Sequence, residues 1–235
     1  MPEPLFILRH HTDEISVVNF LIGLPKFKKE PILVSGDVGG CVKLWDLETR
    51  RPLHSFNPCE AKKGAILNVT NTVSHDYMIT QSRSPMSGMI KIWDLNKLGN
   101  QSGTEKGTGT VREFDSKCTT FCKCSVMEPC ILTEKNDKSK EIGHNLILCC
   151  VNEDKSNVDV WDIRSFQKLR AINIAKISEE KRGMIMSIQA YSIVRGDVSA
   201  DKSQMILWLA SESGHVDLYD VTNDKMLASH KFGKF

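Results

Sequence analysis

The chain has 235 residues, 40% hydrophobic and 26% charged. That is enough apolar material to bury a core and excludes a disordered tether. Its 31 lysines and arginines against 29 aspartates and glutamates leave a net charge of +2, too small an excess to draw the chain to nucleic acid or an anionic membrane. No apolar run approaches the ~20 residues of a membrane-spanning helix. The eight cysteines follow no disulfide framework. Cys149 and Cys150 are neighbours in an apolar run, where strand geometry points them to opposite faces. They read as reduced thiols of a nuclear or cytoplasmic protein.

In chain order, the apolar residues 5–8 predict a short strand. Residues 15–20 predict a first full strand, 31–36 a second, Gly39-Gly40 a turn, 41–47 a third and 51–56 a fourth. The same unit then recurs. Tyr77-Met78-Ile79-Thr80 precedes Gly88-Met89-Ile90-Lys91-Ile92-Trp93-Asp94-Leu95. Residues 145–151 precede Asn157-Val158-Asp159-Val160-Trp161-Asp162-Ile163. Residues 205–211 precede Gly214-His215-Val216-Asp217-Leu218-Tyr219-Asp220-Val221, with a last strand over 225–231. Period-2 alternation, as in Val42/Leu44, Ile90/Ile92 and Val216/Leu218, places apolar side chains on one face of each third strand. The aromatic at its end is expected to pack between sheets, and the Asp after it to accept hydrogen bonds from backbone in the turn. A lone four-stranded sheet cannot bury its faces, so the copies must stack.

The pairs Trp45-Asp46, Trp93-Asp94, Trp161-Asp162 and Tyr219-Asp220 resemble the signature of the WD40 repeat. The resemblance implies an all-β fold, a WD40 β-propeller with four recognisable blades, approximately 15–56, 65–114, 118–171 and 183–231. There are departures from the pattern. His10-His11 stands where Gly-His is usual, and Gly39, Ser87 and Ser213 stand where an Asp is usual before the third strand. A buried Asp-His-Ser-Trp hydrogen-bond network is therefore not expected. Repeats are about 40–45 residues in this class, and the wider spacing here places insertions at 96–110, 133–145 and 195–203, polar in composition and expected to be mobile surface loops. The usual WD40 propeller has seven blades, with the N-terminal strand closing the last. A strand over 5–8 has no blade of its own among the four. The chain therefore reads as one partial propeller over 1–235, part of a seven-bladed ring, that self-associates or is poorly soluble when isolated.

The opening Phe6-Ile7-Leu8-Arg9, the wide gap to Ile32-Leu33-Val34-Ser35-Gly36, Trp45-Asp46-Leu47-Glu48-Thr49-Arg50-Arg51, the late Trp161 and Ala210-Ser211-Glu212-Ser213-Gly214-His215-Val216 together resemble the ASTRA-associated protein 1 family, called G-protein β-subunit-like protein 1 in animals. That resemblance implies a scaffold in an ASTRA-type complex with Tel2–Tti1–Tti2 proteins. It also implies links to chromatin remodelling and to chaperone-assisted maturation of phosphatidylinositol-3-kinase-like kinases, with partners that are proteins and residence in nucleus and cytoplasm.

Other motifs have plainer readings. Cys118, Cys122 and Cys124 lack the second knuckle a zinc site favours. They are expected to form a buried first strand of the third blade, with Phe121 in it, and to bind no metal. The Gly/Thr-rich 103–110 segment misses the phosphate-loop pattern. Lys26, Lys28 and Lys29 read as a solvated loop rather than an import signal. Paired carboxylates such as Asp13-Glu14, Glu153-Asp154 and Glu179-Glu180 read as solvated charge. No catalytic constellation can be assembled, so the chain is expected to be no enzyme and to use no cofactor or small-molecule substrate. One rival reading remains. Trp161-Asp162-Ile163-Arg164 resembles the Trp-Asp-x-Arg of WD-repeat receptors for cullin-RING ubiquitin ligases, in which Arg164 would meet the ligase adaptor.

Overall fold

A computed structural model describes residues 6–22, 31–58, 64–72, 77–98, 110–128, 146–177, 181–194 and 203–232. They form four antiparallel sheets of four strands each. The first holds β1 (Ile15–Leu21), β2 (Ile32–Asp37), β3 (Val42–Asp46) and β4 (Arg51–Phe56). The second holds β5 (Ala65–Asn71), β6 (Tyr77–Ser84), β7 (Ser87–Asp94) and β8 (Thr110–Asp115), with the short helix α1 (Leu95–Leu98) after β7. The third holds β9 (Ser125–Met127), β10 (Ile147–Val151), β11 (Asn157–Asp162) and β12 (Gln167–Asn173), followed by α2 (Ile174–Ile177). The fourth holds β13 (Ile185–Val194), β14 (Ser203–Ser211), β15 (His215–Asp220) and β16 (Lys225–Lys231). Within each sheet every strand pairs with its neighbours in sequence, so the all-β reading holds.

Turn chemistry explains where the strands stop. Gly40 and Gly214 carry φ of 89° and 80° before the third strands of their sheets, a conformation glycine adopts without steric penalty. Between third and fourth strands, Arg50, Phe166 and Asp224 have φ of 59°, 60° and 56°, each four residues after the Asp that ends the third strand. The second sheet uses α1 there instead.

The chain divides into two compact units, 1–119 and 120–235. In the N-terminal unit the first two sheets pack face to face. Val17, Leu21, Ile32, Val34, Val42 and Leu44 of the first sheet meet Ile66, Val69, Met78, Trp93 and Leu95, with Phe56 against them. Polar ties cross the same junction. Ser16 Oγ donates to the Ile66 carbonyl at 2.6 Å, and Asn19 Nδ2 to the Val69 carbonyl at 2.9 Å. In the C-terminal unit β9 and β10 lie against β13, and the Ala190 N–H donates to Ser125 Oγ at 2.9 Å.

Three expectations need correction. Phe6, Ile7 and Leu8 form no strand; the Phe6 ring lies under the Arg50 guanidinium, 4.8 Å away, and Ile7 is exposed. The segment from Cys118 to Cys124 precedes β9 as irregular chain, with Phe121 70% exposed. There Ser116 Oγ accepts from the Cys118 N–H and Thr120 Oγ1 from the Cys122 N–H, both at 3.3 Å. Such local side-chain bonds compete with a strand ladder. Of the three insertions, 133–145 lies outside the described residues, as do most of 96–110 and 195–203. Residues 96–98 belong to α1, Thr110 opens β8 and Ser203 opens β14. The lysines at 26, 28 and 29, the 103–109 segment and Glu179-Glu180 also lie outside the described residues.

The tightest point between the first two sheets is Gly36, where a Cβ would meet Ile66 Cγ2 at 2.6 Å and Val17 Cγ1 at 2.9 Å. Gly36→Ala should force the two sheets apart and cost about 1–3 kcal/mol, the usual range for an overpacked core. Equilibrium urea denaturation measures it, and an unchanged midpoint would contradict the close approach.

Candidate functional site

The four aromatic-Asp pairs sit at equivalent places in the four sheets. Trp45, Trp93 and Tyr219 are buried, and Trp161 is half-buried. The Asp after each aromatic caps the following turn. Asp46 Oδ1 accepts from the N–H of Glu48 at 2.8 Å and of Thr49 at 3.2 Å. Asp94 Oδ1 accepts from Asn96 N–H at 2.9 Å, Asp162 Oδ1 from Arg164 N–H at 2.9 Å, and Asp220 Oδ1 from Asn223 N–H at 3.0 Å. Burial alone would raise the Asp220 pKa. The side chain and backbone of Asn223, with Gln204 and Thr222, outweigh it and hold the carboxyl below the ordinary carboxylate value.

The first sheet holds a buried network, contrary to the expectation from the sequence. Trp45 Nε1 donates to Ser35 Oγ at 2.8 Å, Ser35 Oγ lies 2.7 Å from His11 Nε2, and His11 Nδ1 lies 2.5 Å from Asp37 Oδ2. Asp37 Oδ1 accepts from the Cys41 N–H at 2.8 Å. The order of donors assigns the hydroxyl proton of Ser35 to Nε2 and the ring proton to Nδ1, facing Asp37. The imidazoles of His10 and His11 tilt against the Trp45 indole with centroids 5.9 and 6.1 Å away. The carboxylate comes from Asp37, at the end of β2, and not from the turn position held by Gly39. The signal was the run Ser35-Gly36-Asp37, which places serine and Asp two residues apart on one strand face.

Ser35, His11 and Asp37 stand in the bonding order of an acyl-transfer triad. The geometry holds and does not react: Ser35 is 5% exposed and its oxygen already receives the Trp45 proton, so no carbonyl can reach it. His11, Asp37 and Cys41 also have ligand atoms within 4.8 Å of one another. Both ring nitrogens of His11 are committed to Ser35 and Asp37, and the group is fully explained as a hydrogen-bonded brace.

The other sheets replace this brace. In the second, Trp93 Nε1 donates to Thr80 Oγ1 at 2.9 Å. In the third, buried Cys150 takes the register position of Ser35, opposite Asp159 as Ser35 is opposite Lys43. In the fourth, Tyr219 replaces the indole and its hydroxyl donates to Asp224; burial first, then that bond, push its pKa up. Buried Arg182 lies 3.2 Å from Asp217, and Ser229 bonds both.

A further regularity escaped the sequence reading although the aligned copies display it. Two residues before each aromatic stands a charge: Lys43, Lys91, Asp159, Asp217. Each is bonded to its outer strand, Lys43 to Ser55 at 2.9 Å, Lys91 to Glu113 at 2.7 Å, Asp159 to Lys168 at 2.7 Å and Asp217 to Ser229 at 2.5 Å.

The remaining residues are placed as follows. Arg164 has an exposed side chain in the turn after β11. Cys41, Cys118, Cys122, Cys124, Cys149 and Cys150 are free thiols, all but Cys41 buried. Burial, with Cys124 beside it, pushes the Cys149 thiol up to about 12, which makes it a poor nucleophile or ligand at neutral pH.

No family model matches the chain. It is 24% identical over 246 residues to ASTRA-associated protein 1 of Saccharomyces cerevisiae, covering 94% of this chain and 51% of that protein. To ASTRA-associated protein 1 of Penicillium rubens it is 23% identical over 235 residues, covering 92% and 49%. The chain thus spans about half the length of the curated relatives it matches. Among solved structures, a crystal structure of RRP9 WD40 repeats superposes with a TM-score of 0.57 at 14% identity, over 94% of this chain and 52% of that one. The chain has the β-propeller fold of WD40 repeats, and it resembles ASTRA-associated protein 1.

Trp45→Ala should cost about 3–5 kcal/mol, the range for a large aromatic removed from a core. Ser35→Ala, which strands the Trp45 and His11 nitrogens, should cost about 1–3 kcal/mol. Chemical denaturation reads both, and a silent Ser35→Ala would mean that the brace adds nothing. For Asp220 the sign is that of a depressed acid. Its contribution is present above the unfolded carboxylate value of ~3.9 and is lost as pH falls through the lower folded value. Asp220→Asn should therefore lower stability at neutral pH and flatten its loss on acidification. Denaturation midpoints of both proteins at stepped pH test this, and parallel profiles would refute it.

Proposed function

We infer that this chain is a non-enzymatic protein-interaction scaffold of an ASTRA-type complex. It would hold Tel2–Tti-type proteins and serve chaperone-assisted maturation of phosphatidylinositol-3-kinase-like kinases, with a link to chromatin remodelling. Its place of work would be nucleus and cytoplasm. The observation that carries this is the similarity to ASTRA-associated protein 1 along 94% of the chain. The site supports it physically. Its best-organised polar groups, His11, Ser35, Asp37 and the turn aspartates, are spent on bracing backbone and indole, which suits a rigid platform. A binding surface on such a platform is drawn from exposed turns such as that of Arg164.

Affinity purification of the tagged protein from cells, read by mass spectrometry, tests the assignment. Tel2–Tti-type proteins or their kinase clients should be recovered. Recovery of a cullin-RING adaptor in their place, lost on Arg164→Ala, would instead make the chain a ligase substrate receptor.

A further inference from the structure

In the N-terminal unit one face of the first sheet packs on the opposite kind of face of the second. The donor face presents Val34, Val42 and Leu44, all 0% exposed. The acceptor face presents Val69, Met78 and Trp93, the first two also 0% exposed. Register carries these positions onto the other sheets. In the fourth sheet the donor positions are Trp208, Val216 and Leu218, with Gln189 at the place of Asn19. There Trp208 is 42% exposed, Gln189 is exposed, and Val216 and Leu218 are half-buried. In the first sheet the acceptor positions are Val18, Leu33 and Trp45, with Phe20 in the same row as Leu33. Val18 is 57% and Phe20 51% exposed. One chain therefore displays an uncovered donor face and an acceptor face that is open at Val18 and Phe20 beside the buried Trp45.

The polar tie points the same way. Asn19 donates across the sheet junction to the Val69 carbonyl at 2.9 Å, and Ser125, at the same register in the third sheet, accepts across its junction from Ala190 N–H. Gln189 holds that register in the fourth sheet; its Nε2 donates one N–H to the Ala190 carbonyl at 3.4 Å, and a primary amide has a second N–H to offer.

We propose that the fourth sheet of one chain docks on the first sheet of a second copy, repeating between chains the packing of the first sheet on the second. Trp208 and Leu218 lie against Val18, Phe20 and Leu33 of the second copy, and the Gln189 amide donates to its Val18 carbonyl. The two faces differ, so the contact is heterologous. Two variants, each with a charge placed on a different one of these faces, can then complement each other.

The 235-residue chain is examined by sedimentation equilibrium across a concentration series. The wild type should self-associate. Trp208→Glu and Phe20→Glu should each give a shift toward monomer at the same loading, with far-UV circular dichroism unchanged, and Trp208→Phe should retain association. Mixing the two glutamate variants should restore a 1:1 complex, because each keeps the face the other lacks. A photo-crosslinking amino acid at position 208 should capture β1 peptides of a differently labelled copy, a readout that does not depend on either glutamate variant folding. A wild type that stays monomeric throughout would overturn the proposal. So would loss of association in Trp208→Glu but not in Phe20→Glu, no recovery on mixing, or cross-links to another part of the chain.

Discussion

The contact of Phe56 with Trp93, ring centroids 4.7 Å apart and planes tilted by 55°, marks the junction on which the N-terminal unit depends. A four-stranded sheet has two faces and can bury neither alone. Here the outer strand of one sheet brings an aromatic onto the indole of the next, beneath which Val34, Leu44, Val69 and Met78 close the apolar layer. Aromatic pairs of this tilt gain beyond their buried area. The glycine at 36 lets the backbones approach closely enough for Ser16 and Asn19 to reach carbonyls across the gap.

The charge two residues before each aromatic shows how a repeat diverges without losing its frame. The position sits on the face that carries the aromatic, so a charge there needs a partner or a costly desolvation. Lysine occupies it in the first two sheets and aspartate in the last two. Each time the outer strand supplies a complement, by Ser55, Glu113, Lys168 or Ser229. The backbone arrangement is held while the polarity of the pair is exchanged. Arg182 extends the fourth pair into a buried trio.

Much of this was legible in residue order because strand alternation and the aromatic-Asp pair are local signals. The turn-capping role of Asp46 or Asp162 needs only the side chain and the two or three residues after it. The brace of the first sheet was not legible in the same way. His11 and Asp37 lie 26 residues apart, and the usual place of the Asp, one turn later, is filled by Gly39. What brings Asp37 to His11 is the pairing of β1 with β2, which sets Ile15 opposite Asp37 and carries the segment before β1 past the end of β2; no short window of sequence contains it. Residues 5–8 misled for the opposite reason. Their apolar run satisfies a local rule, yet Phe6 finds the Arg50 guanidinium rather than a strand. The segment around Cys118 misled likewise, because the hydroxyls of Ser116 and Thr120 compete for amides that a ladder would have used.

Each sheet is a simple meander in which every strand pairs with the one made just before or just after it. That topology bears on how the chain reaches its native state. Loop closure between successive strands costs little entropy compared with bringing distant segments together. A sheet can assemble as soon as its fourth strand is synthesised, with no wait for the far end of the chain. What arises late is the covering of the first sheet's outward face, which stands as a freshly formed apolar surface until β5 to β8 have been made and shield it.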